Sequence, residues 1–184
     1  MFFNFVDELR EAGIPASFKE HCLDVAEQML ILGERTTDGG KAREQAEQAL
    51  KDGSAWQKFL DLVEAQGGDI TFIEDQEKFP KAAIVQVVRS PKTGYISQIH
   101  ARIVGEASVD LGAGRAKKDD QIDHAVGIEI LREVGDHIKK GEDLFILHAA
   151  DQNSFEQARD RLLEAHEWSD SPVERLPLVY DIIS

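Results

Sequence analysis

The sequence predicts an α+β fold: an N-terminal helical segment, then a small mixed α/β domain with a barrel-sandwich-like set of strands and a C-terminal helix and strand. Two observations carry this. Up to about Gly68 the apolar residues recur at spacings of three and four, whereas from Ala82 they form β-branched runs and alternations separated by turn residues. A hydrophobic fraction of 42% and a charged fraction of 30% over 184 residues give enough apolar material for a packed core. The division is expected near Gly68-Asp69, with residues 1–69 as the helical segment and 70–184 as the second domain.

In the helical segment, Phe18, Cys22, Val25, Ala26, Met29 and Leu32 define one apolar face that stops at Gly33. On this reading Cys22 is a buried small hydrophobe. After Gly39-Gly40, Ala42, Ala46, Ala49 and Leu50 mark a second helix ending at Gly53. Ser54 and Gln57 have the spacing of a capping box for a third, whose inner side carries Trp56, Phe59, Leu60 and Val63 before Gly67-Gly68 stops it. Three phenylalanines within Met1–Val6 call for a packing partner, either in a larger core or on another chain.

The run Ala82–Val88, the turn Ser90-Pro91-Lys92-Thr93-Gly94 and the alternation Tyr95–Ile99 predict a hairpin. Further strands are expected at Gly127–Leu131, around Ile138 and at Leu144–Leu147. Ser154 opens a helix with Phe155, Ala158, Leu162 and Ala165 on one face, and Leu178–Ile183 reads as a closing strand.

The charge excludes one class of partner. Acidic residues outnumber basic ones 35 to 21, for a net charge of −14, so the clustered Lys and Arg that a nucleic-acid backbone demands are missing. The N-terminal apolar stretch lacks a basic flank and is interrupted by Asp7 and Glu8, so neither a signal peptide nor a membrane span is expected. A single cysteine allows no intrachain disulfide and no cysteine-based zinc site, which fits a reducing, cytoplasmic setting. His21, His100, His124, His137, His148 and His166 show no metal-ligand spacing, so no metal is expected; no Gly-x-Ser-x-Gly elbow appears either.

Two segments carry more specific signals. Ser90–Ile96 together with Val134–Ile146 resembles the two halves of a biotinyl or lipoyl carrier domain, with glycines at the corners of a flattened barrel. A carrier needs a modifiable lysine at a hairpin tip in a Met-Lys-Met or Asp-Lys-Ala setting. Lys117 and Lys118 have neither, which leaves a non-catalytic interaction module with a carrier-like barrel as the alternative reading. Leu111-Gly-Ala-Gly-Arg115, continuing to Asp120, could cradle an anion through converging backbone N–H groups and Arg115, although it matches neither the Walker nor the dinucleotide pattern. Equally, Arg115 could pair with Asp119, Asp120 or Asp123 in a tight structural loop.

Taken in order, Leu111-Gly-Ala-Gly-Arg115, Ile122-Asp123, Val126-Gly127-Ile128, Val134-Gly135-Asp136 and Lys140-Gly141-Glu142 resemble the C-terminal domain of the thymidine and pyrimidine-nucleoside phosphorylase family. The resemblance extends upstream through Phe59–Asp69 to the helix Phe18–Leu32 and so covers nearly the whole chain. It implies a pentosyltransferase of nucleoside metabolism in which phosphate attacks the anomeric carbon of thymidine or uridine and releases the base and a (deoxy)ribose 1-phosphate. No cofactor is expected, and the partners implied are a pyrimidine nucleoside, phosphate and a second subunit in a homodimer. The family's Ser-Gly-Arg-Gly and Thr-Gly-Gly-Thr runs, its phosphate-binding lysine-serine segment and its base-contacting Arg, Ser and Lys have no counterpart here. No catalytic residue carries over. The resemblance thus implies a C-terminal fragment that buttresses the catalytic part and is inactive alone, with Gly112, Gly114, Arg115 and Lys117 as the positions expected near a ligand.

Overall fold

The computed structural model describes residues 16–115 and 117–183. The three phenylalanines near Met1 lie outside the described residues. Chain contacts divide the described residues into two compact units, one running to Lys78 and resuming at Pro177, the other Phe79–Leu176. The fold is α+β, with helices and two small antiparallel sheets.

The first unit contains α1 (Ala16–Leu32), α2 (Gly39–Lys51), α3 (Ser54–Ala65), the short α4 (Thr71–Glu74) and a 3₁₀ turn at Gln76–Lys78. α1 ends where Gly33 N–H donates to Met29 O at 2.9 Å and Glu34 takes a positive φ of 56°. Asp38 caps α2 by accepting from Lys41 N–H, and Ala42, with no accessible surface, lets α1 and α2 approach closely. Arg43 ties the pair together, reaching Asp24 at 2.8 Å and Glu47 at 3.2 Å and pairing with Glu20 as well.

Three expectations are corrected in this unit. Leu23, at 3% exposure, is the buried apolar residue of α1, while Phe18, Val25, Met29 and Leu32 are exposed. Cys22 is exposed rather than buried. The second helix lies on the side of α1 that carries Glu20 and Asp24, whose carboxylates Arg43 engages, and not on the predicted face. The Ser54–Gln57 capping box does not form either: α3 begins one residue earlier than that box requires, with Gly53 as N-cap at φ 79°, and Asp52 Oδ1 accepts from Ser54 N–H at 2.9 Å. The inner side of α3 is as expected, with Trp56, Phe59, Leu60 and Val63 half-buried.

The second unit holds β1 (Ile84–Arg89), β2 (Gly94–Ile99), α5 (Ala101–Ser108), a π-turn (Val109–Ala113), β3 (Gly127–Ile130), β4 (His137–Ile138), β5 (Asp143–Ala149), α6 (Gln152–Ala165) and β6 (His166–Ser169). One sheet has the order β1, β5, β3; the other β4, β2, β6, and every pairing is antiparallel. β1 and β2 therefore do not form the predicted hairpin. β1 is zipped to β5 from Ile84↔Ala149 to Val88↔Phe145, so the Ser90–Gly94 turn carries the chain across to the other sheet. The turn is fixed by Ser90 N–H donating to Glu142 O and Gly141 N–H donating to Ser90 O, at 2.8 and 2.9 Å.

Phe145, Ile96, Ile138, Leu144, Leu147 and Leu162 are the largest fully buried side chains, and they join both sheets and α6 into one core. α6 contributes Phe155, Ala158, Leu162 and Ala165, the face read from the sequence. Its start is a capping box: Asp151 accepts from Ser154 N–H at 2.8 Å, and Ser154 Oγ receives the Asp151 N–H. Ser154 is thus the third residue of this helix rather than its opener. The C-terminal strand is β6, paired with β2, whereas Leu178–Ile183 has no regular secondary structure. Its β-branched residues favour a strand, but Pro177–Ser184 groups with the helical unit, which contains no sheet among the described residues.

Candidate functional site

The residues singled out in Leu111–Asp120 are brought into one loop, and its root explains their spacing. α5 widens into the π-turn, where Leu111, 5% exposed, drops into the core. The chain then leaves through Gly112 at φ 104°, a conformation that L side chains avoid. Gly114 is extended, and a Cβ there would lie 2.8 Å from Val109 Cγ2. The two glycines therefore have different reasons, one conformational and one a close approach. Such π-turns interrupt helices at functional sites more often than elsewhere.

Beyond the glycines the loop closes on itself. Asp123 N–H donates to Gly112 O at 2.9 Å, and Asp123 Oδ1 accepts from Ala125 N–H at 2.9 Å. Lys117 and Asp120 are tied twice, by Lys117 N–H to Asp120 Oδ2 at 2.7 Å and by Asp120 N–H to Lys117 O at 3.1 Å. Below it, Arg161 of α6 spans to Glu106 at 2.6 Å and also pairs with Asp110, while Arg102 braces Glu106 at 2.8 Å. Hydrogen bonds from Arg102, then the field of both arginines, hold the half-buried Glu106 carboxyl below its ordinary range.

The side chains that this loop carries face solvent. Arg115, Lys117 and Lys118 are exposed, and Arg115 makes no hydrogen bond or ion pair among the described residues. The pairing of Arg115 with Asp119, Asp120 or Asp123 therefore does not form. Asp120 is engaged with the Lys117 backbone and Asp123 with that of Ala125. What the loop offers is one cationic fork on a rooted backbone, suited to an anion brought to it from outside.

Sequence reading missed other polar arrangements. His148 Nε2 lies 2.6 Å from Glu129 Oε1 across β5 and β3, both half-buried. Their diagonal relation follows from the register, Gly127↔His148 and Glu129↔Ile146, which only the pairing reveals. His166 stacks on Phe145 with centroids 5.5 Å apart, and its Nδ1–H donates to Leu162 O at 2.7 Å. Its Nε2 and the neighbouring Trp168 Nε1 are buried without a protein partner. Burial pushes the His166 imidazole down from its ordinary value, against the opposing pull of the Leu162 carbonyl. Among the described residues neither histidine hydrogen-bonds a hydroxyl or thiol, so neither forms a nucleophile–base pair. Among the described residues no three His, Cys, Asp or Glu side chains gather as a metal site, and no helix is long and apolar enough to cross a membrane.

A family model described as "Pyrimidine nucleoside phosphorylase C-terminal domain" matches residues 95–169. The pyrimidine-nucleoside phosphorylase of Geobacillus stearothermophilus is 38% identical over 179 residues, 97% of this chain and 41% of that relative's length. That of Bacillus subtilis (strain 168) is 39% identical over 148 residues, covering 80% of this chain and 34% of the relative. That of Staphylococcus epidermidis is 39% identical over 134 residues, 73% of this chain and 31% of the relative. The chain thus spans well under half the length of the relatives it matches, and the match falls in their C-terminal part.

Proposed function

Because the chain belongs to the C-terminal part of the pyrimidine-nucleoside phosphorylase family, we propose that it buttresses the substrate-bearing part of such an enzyme and performs no phosphorolysis alone. One observation carries this reading: the relatives extend well beyond the 41% that this chain covers, and no nucleophile–base pair or built anion pocket appears among the described residues. In the complete enzyme, phosphate would displace the pyrimidine from the anomeric carbon of a nucleoside, the C–N bond breaking as the C–O bond forms. Such a reaction rests on positioning and on cations that hold phosphate and the departing base anion. The thymidine and uridine substrates, the homodimer and the cytoplasmic setting belong to this proposal.

Within it, Gly112, Gly114, Arg115 and Lys117 form a loop that closes against the substrate-bearing part. The rooted π-turn and the unengaged Arg115 guanidinium support that role. The test is a chimera with the N-terminal portion of the Geobacillus stearothermophilus relative joined ahead of this chain. Arg115→Ala in that protein is expected to lower kcat/KM for phosphorolysis of thymidine and uridine about ten-fold or more, the scale of one lost charge-assisted hydrogen bond. Unchanged phosphorolysis would remove Arg115 from the site.

A further inference from the structure

α5 and the π-turn that follows it carry two carboxylates four residues apart, Glu106 and Asp110. Neither is favoured where it stands, because the carbonyl end of a helix repels negative charge and like charges at that spacing repel each other. The last turn of α5 and the π-turn contain no basic residue to offset them. The compensating charge comes from another element. Arg161 of α6 places one nitrogen, Nη2, 2.6 Å from Glu106 and pairs through Nη1 with Asp110, so a single guanidinium bridges the junction of α5 and the π-turn. Arg102 holds the second Glu106 oxygen at 2.8 Å. A lone ion pair at this exposure would contribute little, but a rigid fork shared by two carboxylates, with a second arginine behind it, is a network.

That junction gives the glycine loop its direction. Asp110 stands between Val109 and Leu111, and the Leu111 side chain is in the core. The backbone at Gly114 rests so closely on Val109 that a Cβ there would lie 2.8 Å from Val109 Cγ2. Asp123 N–H returns to Gly112 O at 2.9 Å. A shift of the π-turn therefore carries Gly112 and Gly114 with it, and with them the next residue, Arg115. We propose that Arg161 is a positioning residue: through Glu106 and Asp110 it holds the π-turn at the root of the loop and so sets where the Arg115 guanidinium stands. The inference rests on the phosphorylase reading and deepens it, by assigning to α6 the control of a loop that α6 does not contain.

The first test uses the 184-residue chain itself, with NMR-detected hydrogen exchange in the native chain and in Arg161→Met. The loop is read by the amides of Asp123 and Asp120, which donate to Gly112 O and Lys117 O. Global opening is read by Phe145 and Leu147 in β5, the central strand of its sheet. The loop amides are expected to exchange about ten-fold faster or more in the variant, with a much smaller change in β5. High salt should speed the loop amides of the native chain and leave those of the variant unchanged, because only the native chain has the ion pairs to screen. Equal acceleration in loop and β5 would make Arg161 a general stabiliser and overturn the proposal, as would no acceleration in either.

The link to Arg115 is read by a double-mutant cycle in the chimera with the Geobacillus stearothermophilus N-terminal portion. Arg161→Met should lower kcat/KM for phosphate about five-fold or more, and cost nothing further when Arg115 is already alanine. The same loss in both backgrounds would show that Arg161 acts independently of Arg115, and the proposal would fall. A chimera without turnover counts against the phosphorylase reading, and the exchange rates then decide the clamp by themselves.

Discussion

His166 shows how a single residue can make stability depend on pH. Its ring is buried against Phe145 and Trp168, with one nitrogen held by Leu162 O and the other without a partner. The fold prefers the neutral ring, so the unfolded chain binds the extra proton. This contribution is complete above the ordinary imidazole value of about 6.5 and is lost as pH falls below it. Urea unfolding is expected to show stability dropping from pH 7.5 to 5.5, with a shallower drop in His166→Gln. Equal slopes would mean that the buried ring is not responsible. Gly112 gives a second test. At φ 104° alanine is strained whatever the surrounding space, and the unit should lose more than about 1 kcal/mol in Gly112→Ala. Leu162, fully buried between α6 and the sheets, should cost about 2–5 kcal/mol when cut to alanine. Denaturant midpoints at constant m measure both.

At the scale of elements, α6 is held at its start by the Asp151–Ser154 box, and the Ser154 N–H keeps the Asp151 carboxyl below its ordinary range. Asp151→Ala should lower the thermal midpoint, while Asp151→Asn, an equally good cap, should keep most of it at neutral pH. The apolar face of α6 was legible because Phe155, Ala158, Leu162 and Ala165 have one core to meet. That of α1 was legible as a pattern and wrong as a burial assignment. Spacing shows that a face is apolar, not which neighbour the fold supplies, and here Leu23 is the buried residue instead. The strands β1 to β5 were readable from their runs, but their partners were not: local turn chemistry at Ser90–Gly94 suggested a hairpin where pairing across the chain gave two sheets. No helix is predicted over Ala101–Ser108 although Ala101, Val104, Ala107 and Leu111 have helical spacing; Gly105 in its middle weakens the propensity signal. The π-turn that sets the loop's exit has no propensity signal of its own, so only its glycines were visible in advance.

For the whole molecule, the chain matches the C-terminal part of relatives that are more than twice as long as the region they share with it. The order of motifs from Leu111 to Glu142 was enough to place it in its family, because those motifs are the turns and corners that the fold requires: the Gly112 exit, the Gly135 turn at φ 94° and the Gly141 turn at φ 89°. The most direct measurement is phosphorolysis of thymidine and uridine by this 184-residue chain at high concentration with saturating phosphate, following base release. The account predicts a well-folded protein with no turnover above the uncatalysed rate. Turnover that scales with chain concentration and survives removal of trace phosphorylase would contradict it, and would require a catalytic site built from residues assigned here to structure.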